Sequence, residues 1–282
     1  MSVHPLACVH PTAMLGPDVQ IGPFCVVEAG VTIGDGCILE NRVVIKQGTT
    51  LGKENRVFEG VVVGGLPQHA HMPERPGGVL IGSGNTIREN VTVHRAMHAG
   101  ELTTIGDNNL LMVAAHVAHD CQLGSNTIIT NNVMLAGHVT VANRAYLSGA
   151  VAVHQFCRVG TMAMVGGQAH INRDVPPYVT VDGLSSLVVG LNQVGLRRAG
   201  LDADTIRELK AAYRVIYRSG LTWSEMLKRL KVRFVEGHAA EFYRFCSATE
   251  RGITPERRLP PDATIKLRRD TEPESQPQVK VG

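Results

Sequence analysis

Aliphatic residues recur at every sixth position over about two thirds of this chain. Counting in steps of six gives ten consecutive aliphatic residues from Val9 to Val63 and twelve from Ile105 to Ile171. A period of six matches neither the roughly 3.6-residue period of a helix nor simple two-residue alternation. It is the hexapeptide signature of a parallel β-helix, in which three hexads close one triangular coil of about 18 residues.

This period predicts a mainly β fold, a triangular prism over residues 1–189 with the aliphatic side chains stacked along its axis. The residue two places before each aliphatic position is mostly small, and four cysteines occupy that inward position. They are Cys25, Cys37, Cys121 and Cys157. We expect these thiols to be buried as small apolar groups. The period breaks near residues 64–80 and 94–104, where we predict loops that leave the coil, and long loops on a rigid scaffold often carry function.

Helical spacing replaces the hexads in residues 190–252, which predict a small α-helical C-terminal domain. Asp202 or Asp204 can cap a helix that stops before Gly220. Residues 222–225 read TWSE, a capping box for a second helix, and a third is predicted over residues 238–250. Residues 253–282 are rich in proline and charge, which predicts a flexible extension.

Composition narrows the class of protein. Of 282 residues, 44% are hydrophobic and 19% charged, which is typical of a globular protein and argues against global disorder. No run approaches about 18 apolar residues, and the first residues lack a secretory signal, so we expect a cytoplasmic protein without a transmembrane segment and with reduced cysteines. The positive charge is concentrated in residues 190–252, with 12 Lys and Arg against 7 Asp and Glu. This excess either attracts an acidic partner or forms a solvated helix face.

Residues 18 apart lie on the same face of such a prism, and this places histidines together. Val117, Leu135 and Val153 begin hexads on one face, and their hexads contain His119, His138 and His154. If residues 94–104 include a six-residue excursion, His94 joins them. We call these four residues the histidine row, and the pattern predicts that it follows one edge of the prism.

A row of histidines could serve either metal binding or acid–base catalysis. A metal site is disfavoured, because no carboxylate cluster accompanies the row and stacked coils are not expected to converge ligands tetrahedrally. Acid–base catalysis is favoured, because a histidine titrating near neutral pH can take a proton from an attacking hydroxyl. Asp120 could orient His119 if the chain bends at that corner, and the N–H of Gly137 could stabilise an oxyanion. The absence of a serine nucleophile elbow favours direct transfer over a covalent intermediate.

Six stretches of the chain resemble a known family, the acyl-[acyl-carrier-protein]–UDP-N-acetylglucosamine O-acyltransferases of lipid A biosynthesis. The resemblance covers about residues 5–252. The stretches are NLLMVAAHVAHDC (109–121), LAGHV (135–139), VHQF (153–156), MVGG (164–167), DVPPY (174–178) and IYRSG (216–220).

The resemblance implies a left-handed β-helix and a homotrimer with sites between neighbouring prisms. It also implies transfer of an (R)-3-hydroxyacyl group from acyl carrier protein to the 3-hydroxyl of UDP-N-acetylglucosamine, with no cofactor, no metal and no nucleic-acid partner. His119 matches the general base, Gly137 the oxyanion donor and Gly167 the position that limits acyl length. His116, His138, His154, Gln155, Asn192 and Arg198 match positions that contact substrate, and Gln68, His69, His71 and His94 are further candidates for substrate binding. Of these, Arg198 is expected near the nucleotide phosphates.

The chain departs from the family's usual pattern on the acceptor side. Residues 68–71 read QHAH where the family commonly has Gln-Asp-x-Lys, Val194 replaces a glutamate, and Ala199 replaces an arginine. A paralogue that acylates another nucleotide-linked sugar, from acyl carrier protein or acyl-CoA, is therefore an alternative. A purely structural or sugar-binding β-helix and an acetyl-CoA-dependent acetyltransferase are further alternatives. The retained His119, Gly137 and Arg198 favour an enzyme, and the basic tail domain favours a carrier protein as donor.

Overall fold

The chain forms a long stack of short strands followed by four helices, and the computed structural model describes residues 1–257. The strands, in chain order, are β1 (Ser2–Val3), β2 (Cys8–Val9), β3 (Met14–Leu15), β4 (Gln20–Ile21), β5 (Val26–Val27), β6 (Thr32–Ile33), β7 (Ile38–Leu39), β8 (Val44–Ile45), β9 (Thr49–Leu51), β10 (Arg56–Val57), β11 (Val62–Gly65), β12 (Gly78–Ile81), β13 (Thr86–Ile87), β14 (Thr92–His94), β15 (Leu102–Ile105), β16 (Leu110–Leu111), β17 (His116–Val117), β18 (Gln122–Leu123), β19 (Ile128–Ile129), β20 (Met134–Leu135), β21 (Thr140–Val141), β22 (Tyr146–Leu147), β23 (Ala152–Val153), β24 (Arg158–Val159), β25 (Met164–Val165), β26 (His170–Ile171), β27 (Val179–Val181) and β28 (Val188–Leu191). The helices are α1 (Gln193–Arg198), α2 (Ala203–Tyr217), α3 (Trp223–Arg233) and α4 (Ala240–Ser247).

Successive strands belong to three different sheets in turn, so the chain winds as a triangular prism. The first sheet begins with β1, β4 and β7, the second with β2, β5 and β8, and the third contains β3, β6 and β9. Neighbouring strands in a sheet are parallel except for β27 and β28, and Gln20 pairs with Ile38, which is 18 residues further on. The predicted parallel β-helix of hexapeptide repeats is therefore confirmed.

The core is a column of aliphatic side chains along the prism axis. Ile33, Leu39 and Ile45 are each no more than 1% exposed, as the six-residue count predicts. Val9 and Leu15 in the first coil are only partly buried, because that coil has a neighbour on one side only. The four inward cysteines are fully buried and free. Burial raises the pKa of Cys121 to about 12, so this thiol stays protonated.

A ladder of polar side chains also runs inside the prism. The side-chain oxygen of Asn55 accepts the N–H of Asn85, the oxygen of Asn85 accepts the N–H of Asn109, and the oxygen of Asn109 accepts the N–H of Thr127. All four residues are no more than 2% exposed. Each of these hydrogen bonds satisfies a buried backbone N–H at a corner, which stabilises the stacking of successive coils.

The two predicted loops are present but shorter than expected. They span residues 66–77, between β11 and β12, and residues 95–101, between β14 and β15. The residues at their ends extend the flanking strands, because β12 pairs along its whole length with β15. The second loop lengthens one coil, so that Thr92 pairs with His116, which is 24 residues away.

The C-terminal part contains more structure than the helical spacing predicted. Strands β27 and β28 form an antiparallel hairpin on the first sheet, and the short helix α1 follows it. Asp202 caps α2 by accepting the N–H of Thr205, and Thr222 and Glu225 form the predicted capping box of α3. No helix within residues 1–257 is long and apolar enough to span a membrane.

Buried polar contacts attach the helices to the prism. Glu241 of α4 accepts hydrogen bonds from Tyr178 and, at 2.5 Å, from Thr161. Arg158 of β24 donates to the buried carboxylate of Asp174 at 2.9 Å and to the carbonyl of Phe245 at 2.7 Å. Prism and helices therefore share one continuous buried core.

The expected extension over residues 253–282 is corrected at its start. Ile253 forms a bridge with Asp174, and Glu256 forms one with Val188. Glu256 also accepts a hydrogen bond from Tyr213 of α2 at 2.6 Å. Residues 253–257 are ordered because their backbone pairs with residues at the end of the prism. The remainder of the predicted extension lies outside the described residues.

Candidate active site

One corner of the prism, between the second and third sheets, carries the histidine row. His94, His119, His138 and His154 follow or end β14, β17, β20 and β23, which are four consecutive strands of the second sheet. The expected six-residue excursion exists, since Val93 pairs with Val117. The geometric expectation that these histidines share an edge is therefore met by the structure.

The chain turns sharply at this corner. Asp120, His138 and Phe156 occupy the same position in three successive coils, and each has a backbone φ between 61° and 64°. This left-handed conformation is uncommon for residues other than glycine and bends the strand path. Asp120 therefore does not point opposite to His119, as it would in a straight strand, and the two side chains meet.

His119 and Asp120 form a hydrogen-bonded pair. His119 Nδ1 lies 2.7 Å from Asp120 Oδ2, and the two side chains are only 10% and 9% exposed. The N–H of Met97 donates to the same carboxylate at 3.2 Å, and the N–H of Asp120 donates to Thr103 Oγ1 at 2.8 Å. Because the carboxylate accepts the Nδ1 proton, Nε2 of a neutral His119 carries a lone pair and can act as a base.

Gly137 lies one coil beyond His119, at the equivalent position. A Cβ atom on this glycine would lie 2.6 Å from His119 Nε2 and 2.5 Å from Cε1. Only a glycine keeps the space beside Nε2 open. Among the described residues, the Gly137 N–H donates no hydrogen bond. An oxygen that enters this space can thus reach both Nε2 and a free backbone donor.

His138 completes the corner next to the pair. Its ring stacks on Phe156, with ring centroids 4.5 Å apart and planes 9° from parallel. Its Nε2 lies 3.6 Å from Asp120 Oδ2, and its ring meets the His119 ring edge-on at 5.2 Å. The stack fixes the orientation of His138 toward the carboxylate.

His94 of the preceding coil and His116 of β17 form a second pair, with ring centroids 5.1 Å apart. His94 Nδ1 lies 2.5 Å from the carbonyl oxygen of Leu66, and His116 Nδ1 lies 2.8 Å from Thr92 Oγ1. Burial lowers the pKa of both imidazoles, and each is lowered further by a histidine neighbour. Both rings are therefore neutral near pH 7, suited to hydrogen bonding rather than charge.

The loop over residues 66–77 approaches the same corner. The His69 ring lies 5.9 Å from the His119 ring, and His69 Nδ1 accepts the N–H of His71 at 3.1 Å. Gln68, His69 and His71 are all exposed. The loop therefore brings exposed hydrogen-bonding groups to the mouth of the site.

The remaining candidate residues are spread more widely. His154 and Gln155 are exposed on the next coil of the same corner. Gly167 lies at another corner, between β25 of the first sheet and β26 of the second. Asn192 caps α1 and Arg198 ends it. Both line a cavity of about 510 Å³ over the first sheet, together with residues such as Tyr146. Within one chain, the structure does not bring these two residues to the histidine row.

Three groups that could ligate a metal come together at this corner, whatever geometry they would give it. One ligand atom each from His119, Asp120 and His138 can be chosen so that all three lie within 4.8 Å of one another. The corner bend is the reason, because it turns side chains from two coils toward one point.

Sequence reasoning missed three supporting groups. Phe156 lies 18 residues after His138, so the coil period contained the signal for their stack. Met97 and Thr103 contact Asp120 from the irregular loop and from the strand after it. No periodic pattern predicts those two contacts.

Comparisons with known proteins agree with this architecture. A family model described as UDP-N-acetylglucosamine O-acyltransferase, domain 2, matches residues 174–254, and a model of bacterial transferase hexapeptides matches residues 12–47 and 102–137. The acyl-[acyl-carrier-protein]–UDP-N-acetylglucosamine O-acyltransferase of Halorhodospira halophila is 48% identical over 221 residues, which cover 78% of this chain and 85% of the relative. A protein of the same name from an Anaeromyxobacter species is 40% identical over 256 residues, covering 90% of this chain and 100% of the relative.

A solved structure shows the same fold. The UDP-N-acetylglucosamine acyltransferase of Francisella novicida superposes with a TM-score of 0.87 at 36% identity, covering 90% of this chain and 94% of that one. The similarity includes both the prism and the helices. The chain belongs to the acyl-[acyl-carrier-protein]–UDP-N-acetylglucosamine O-acyltransferase family.

Proposed function

We propose that this chain transfers an (R)-3-hydroxyacyl group from acyl carrier protein to the 3-hydroxyl of UDP-N-acetylglucosamine, the first step of lipid A biosynthesis. The observation that carries the proposal is the environment of His119. Its Nδ1 is hydrogen-bonded to Asp120 at 2.7 Å, and its Nε2 faces the space that Gly137 leaves open. The names of relatives that are 40–48% identical supply the substrates.

The geometry supports direct attack. His119 Nε2 removes the proton of the sugar hydroxyl as its oxygen bonds to the thioester carbonyl carbon. The carbonyl oxygen becomes an oxyanion and accepts the Gly137 N–H. The carbon–sulfur bond then breaks, and the departing carrier thiolate takes the proton from His119. Asp120 stabilises the imidazolium that exists between these two steps.

The other matching residues are assigned to substrate binding. We place His69, His71 and Gln68 at the sugar, because their loop lies at the mouth of the site. Arg198 and Asn192 bind the nucleotide, and Gly167 limits the length of the acyl chain. His94, His116, His138, His154 and Gln155 line the groove along the second sheet.

This assignment needs more than one chain, and we propose that the chains form a homotrimer. Arg198 and Asn192 lie over the first sheet, whereas His119 lies at the corner of the second and third. If prisms pack side by side around a threefold axis, the first sheet of one chain can face the histidine corner of its neighbour. Each site would then take its base from one chain and its nucleotide contacts from the next.

The helices offer a surface for the donor. Lys210 and Arg214 of α2 line an open cavity of about 270 Å³ beside Tyr213. They belong to the segment with 12 basic and 7 acidic residues. An acidic carrier protein is the partner this charge favours. We place the reaction in the cytoplasm.

A panel of substrates tests the proposal. Purified protein is incubated with UDP-N-acetylglucosamine and 3-hydroxyacyl carrier proteins of different chain lengths, and the product is identified by mass. The proposal expects an acylated nucleotide sugar whose ester is at the 3-oxygen. The absence of product with every donor contradicts it.

A second candidate acceptor is favoured by the substitutions at His69, His71, Val194 and Ala199. Imidazoles at the loop, where the family usually has a carboxylate and an ammonium, can hold another sugar by hydrogen bonds. Calorimetric titration with a panel of UDP-sugars separates the two candidates. Tight binding of UDP-N-acetylglucosamine excludes the second candidate, and tight binding of a different sugar alone excludes the first.

A further inference from the structure

The corner that holds His119 has the features of a transition-metal site as well as of a base. Three different ligand groups converge there from two successive coils: an imidazole of His119, a carboxylate oxygen of Asp120 and an imidazole of His138. Imidazole and carboxylate are the usual ligands of divalent zinc, and three protein ligands plus one open position make a common zinc geometry.

The observed separations match that geometry. Tetrahedral zinc with bonds of about 2.0–2.1 Å places its ligand atoms roughly 3.3 Å apart. Here His119 Nδ1 is 2.7 Å from Asp120 Oδ2, and His138 Nε2 is 3.6 Å from the same oxygen. One distance is shorter than the ideal and one is longer, and one ligand atom from each of the three residues lies within 4.8 Å of the others, so side-chain adjustment has to bring them onto one ion.

The surroundings hold the ligands in place. Met97 N–H donates to the Asp120 carboxylate, and the Phe156 stack orients the His138 ring. The side chains of Asp120 and His119 are 9% and 10% exposed, whereas that of His138 is 38% exposed. Supporting contacts of this kind raise the affinity of a metal site.

We propose that Zn²⁺ binds to His119 Nδ1, Asp120 Oδ2 and His138 Nε2, and that the bound ion switches off acyl transfer. In the active form the imidazole proton is on Nδ1, where it bonds to Asp120. When Zn²⁺ takes the Nδ1 lone pair, the proton of the neutral ring moves to Nε2. Nε2 then has no lone pair with which to remove a proton from a hydroxyl. The inhibitory effect rests on the proposed function, whereas the binding itself does not.

Metal titration tests the binding without any acyl substrate. The full chain, carrying Cys8→Ser to remove the one exposed thiol among residues 1–257, is freed of metal with a chelator and titrated with CoCl₂ at pH 7.5. The proposal expects one Co²⁺ per chain, with the intense visible absorption of tetrahedral cobalt and displacement by ZnCl₂. Absence of a tetrahedral spectrum and of calorimetric binding below about 100 µM overturns it.

Substitutions locate the site. His138→Gln and Asp120→Asn are each expected to weaken Co²⁺ binding at least tenfold, with circular dichroism unchanged. His154→Gln, which removes an exposed histidine of the next coil, is the matched control and is expected to bind as the parent does. Equal binding by the parent and both site variants places the ion elsewhere and overturns the proposal.

The proposed inhibition by Zn²⁺ is tested separately, by measuring the rate of acyl transfer. In a preparation with acyl-transfer activity, ZnCl₂ is expected to inhibit at the concentrations at which it displaces Co²⁺, and a chelator is expected to restore the rate. Full activity with the site saturated refutes inhibition. An inactive preparation that still binds Co²⁺ counts against the proposed function, not against the metal site.

Discussion

His119 Nδ1 lies 2.7 Å from Asp120 Oδ2, although the two residues are neighbours in the chain. Adjacent side chains of a straight strand point to opposite faces, so this contact requires the corner. Asp120 has a φ of 61°, and this turn folds its carboxylate back beside the imidazole. The proposed base and its orienting group are therefore two consecutive residues, and the coil repeat places Gly137 beside them.

The substitution Asp120→Asn tests the orienting role. An amide no longer carries the charge that stabilises the imidazolium, and it can hold His119 in the wrong tautomer. We expect kcat to fall about 10²-fold or more, with little change in the acceptor KM. Steady-state kinetics measure both, and unchanged kcat with retained fold contradicts the role.

Gly137→Ala tests the open space beside the base. The new Cβ would lie 2.6 Å from His119 Nε2, so the ring must shift or the substrate oxygen is excluded. We expect turnover to fall at least about tenfold, since a displaced donor and base cost transition-state stabilisation.

Gly149→Ala is the matched control. Its Cβ would meet its nearest atoms, on Asn131 and Thr130, at 3.8 and 3.9 Å, which is ordinary contact. This variant should keep the wild-type rate. Equal rates for the two glycine variants would mean that the space beside His119 is not used in the reaction.

The fold could be predicted because its signal repeats. Every inward aliphatic position reports the same six-residue period, so coil size, core and the shared edge of the histidines follow from counting. Ile33, Leu39 and Ile45 are buried as that count requires. Helix caps such as Thr222 were also predictable, because capping is a local interaction.

The features of the structure that the sequence did not predict depend on contacts that do not repeat along the chain. Helix α1 has only six residues, too few for a helical period to show, and its place is set by Asn192 bonding to the carbonyl of Met162 at 2.9 Å. The corner backbone angles recur with the hexads, but the contact of His138 with Asp120 depends on which side chains happen to occupy two of those corners. Residues 253–257 begin the segment whose composition over 253–282 predicts a flexible extension, yet Ile253 pairs with Asp174 and Glu256 with Val188.

Acid should destabilise the fold through His94 and His116. Burial lowers the folded-state pKa of both groups below the usual 6.5. Between the folded and unfolded pKa values the unfolded chain binds more protons, so stability is full above about pH 6.5 and is lost as pH falls below it. We expect the Tm to drop between pH 7.5 and 5.5, and to drop less in His116→Gln. An equal drop in wild type and variant contradicts this cause.

Mixing two defective variants tests whether neighbouring chains share a site. His119→Ala removes the base, and Arg198→Ala removes the proposed nucleotide contact on a different sheet. In the proposed homotrimer, assemblies that contain both chains have some interfaces in which neither residue is missing. We expect co-expressed variants to recover activity well above that of either variant alone. If mixed trimers form and show no recovery, base and nucleotide contact belong to the same chain or Arg198 is not involved.

The most direct test of the account is the turnover of His119→Ala with acyl carrier protein thioester and UDP-N-acetylglucosamine. A general base contributes about 10²–10⁴-fold to the rate, so we expect a loss of that size. Circular dichroism and the mass of the assembly should match wild type, because the His119 side chain, although largely buried, lies at the corner outside the aliphatic core. His170→Ala, an exposed histidine of β26, is the control and should react at the wild-type rate. Turnover of His119→Ala within threefold of wild type would contradict the assignment of His119 as the base.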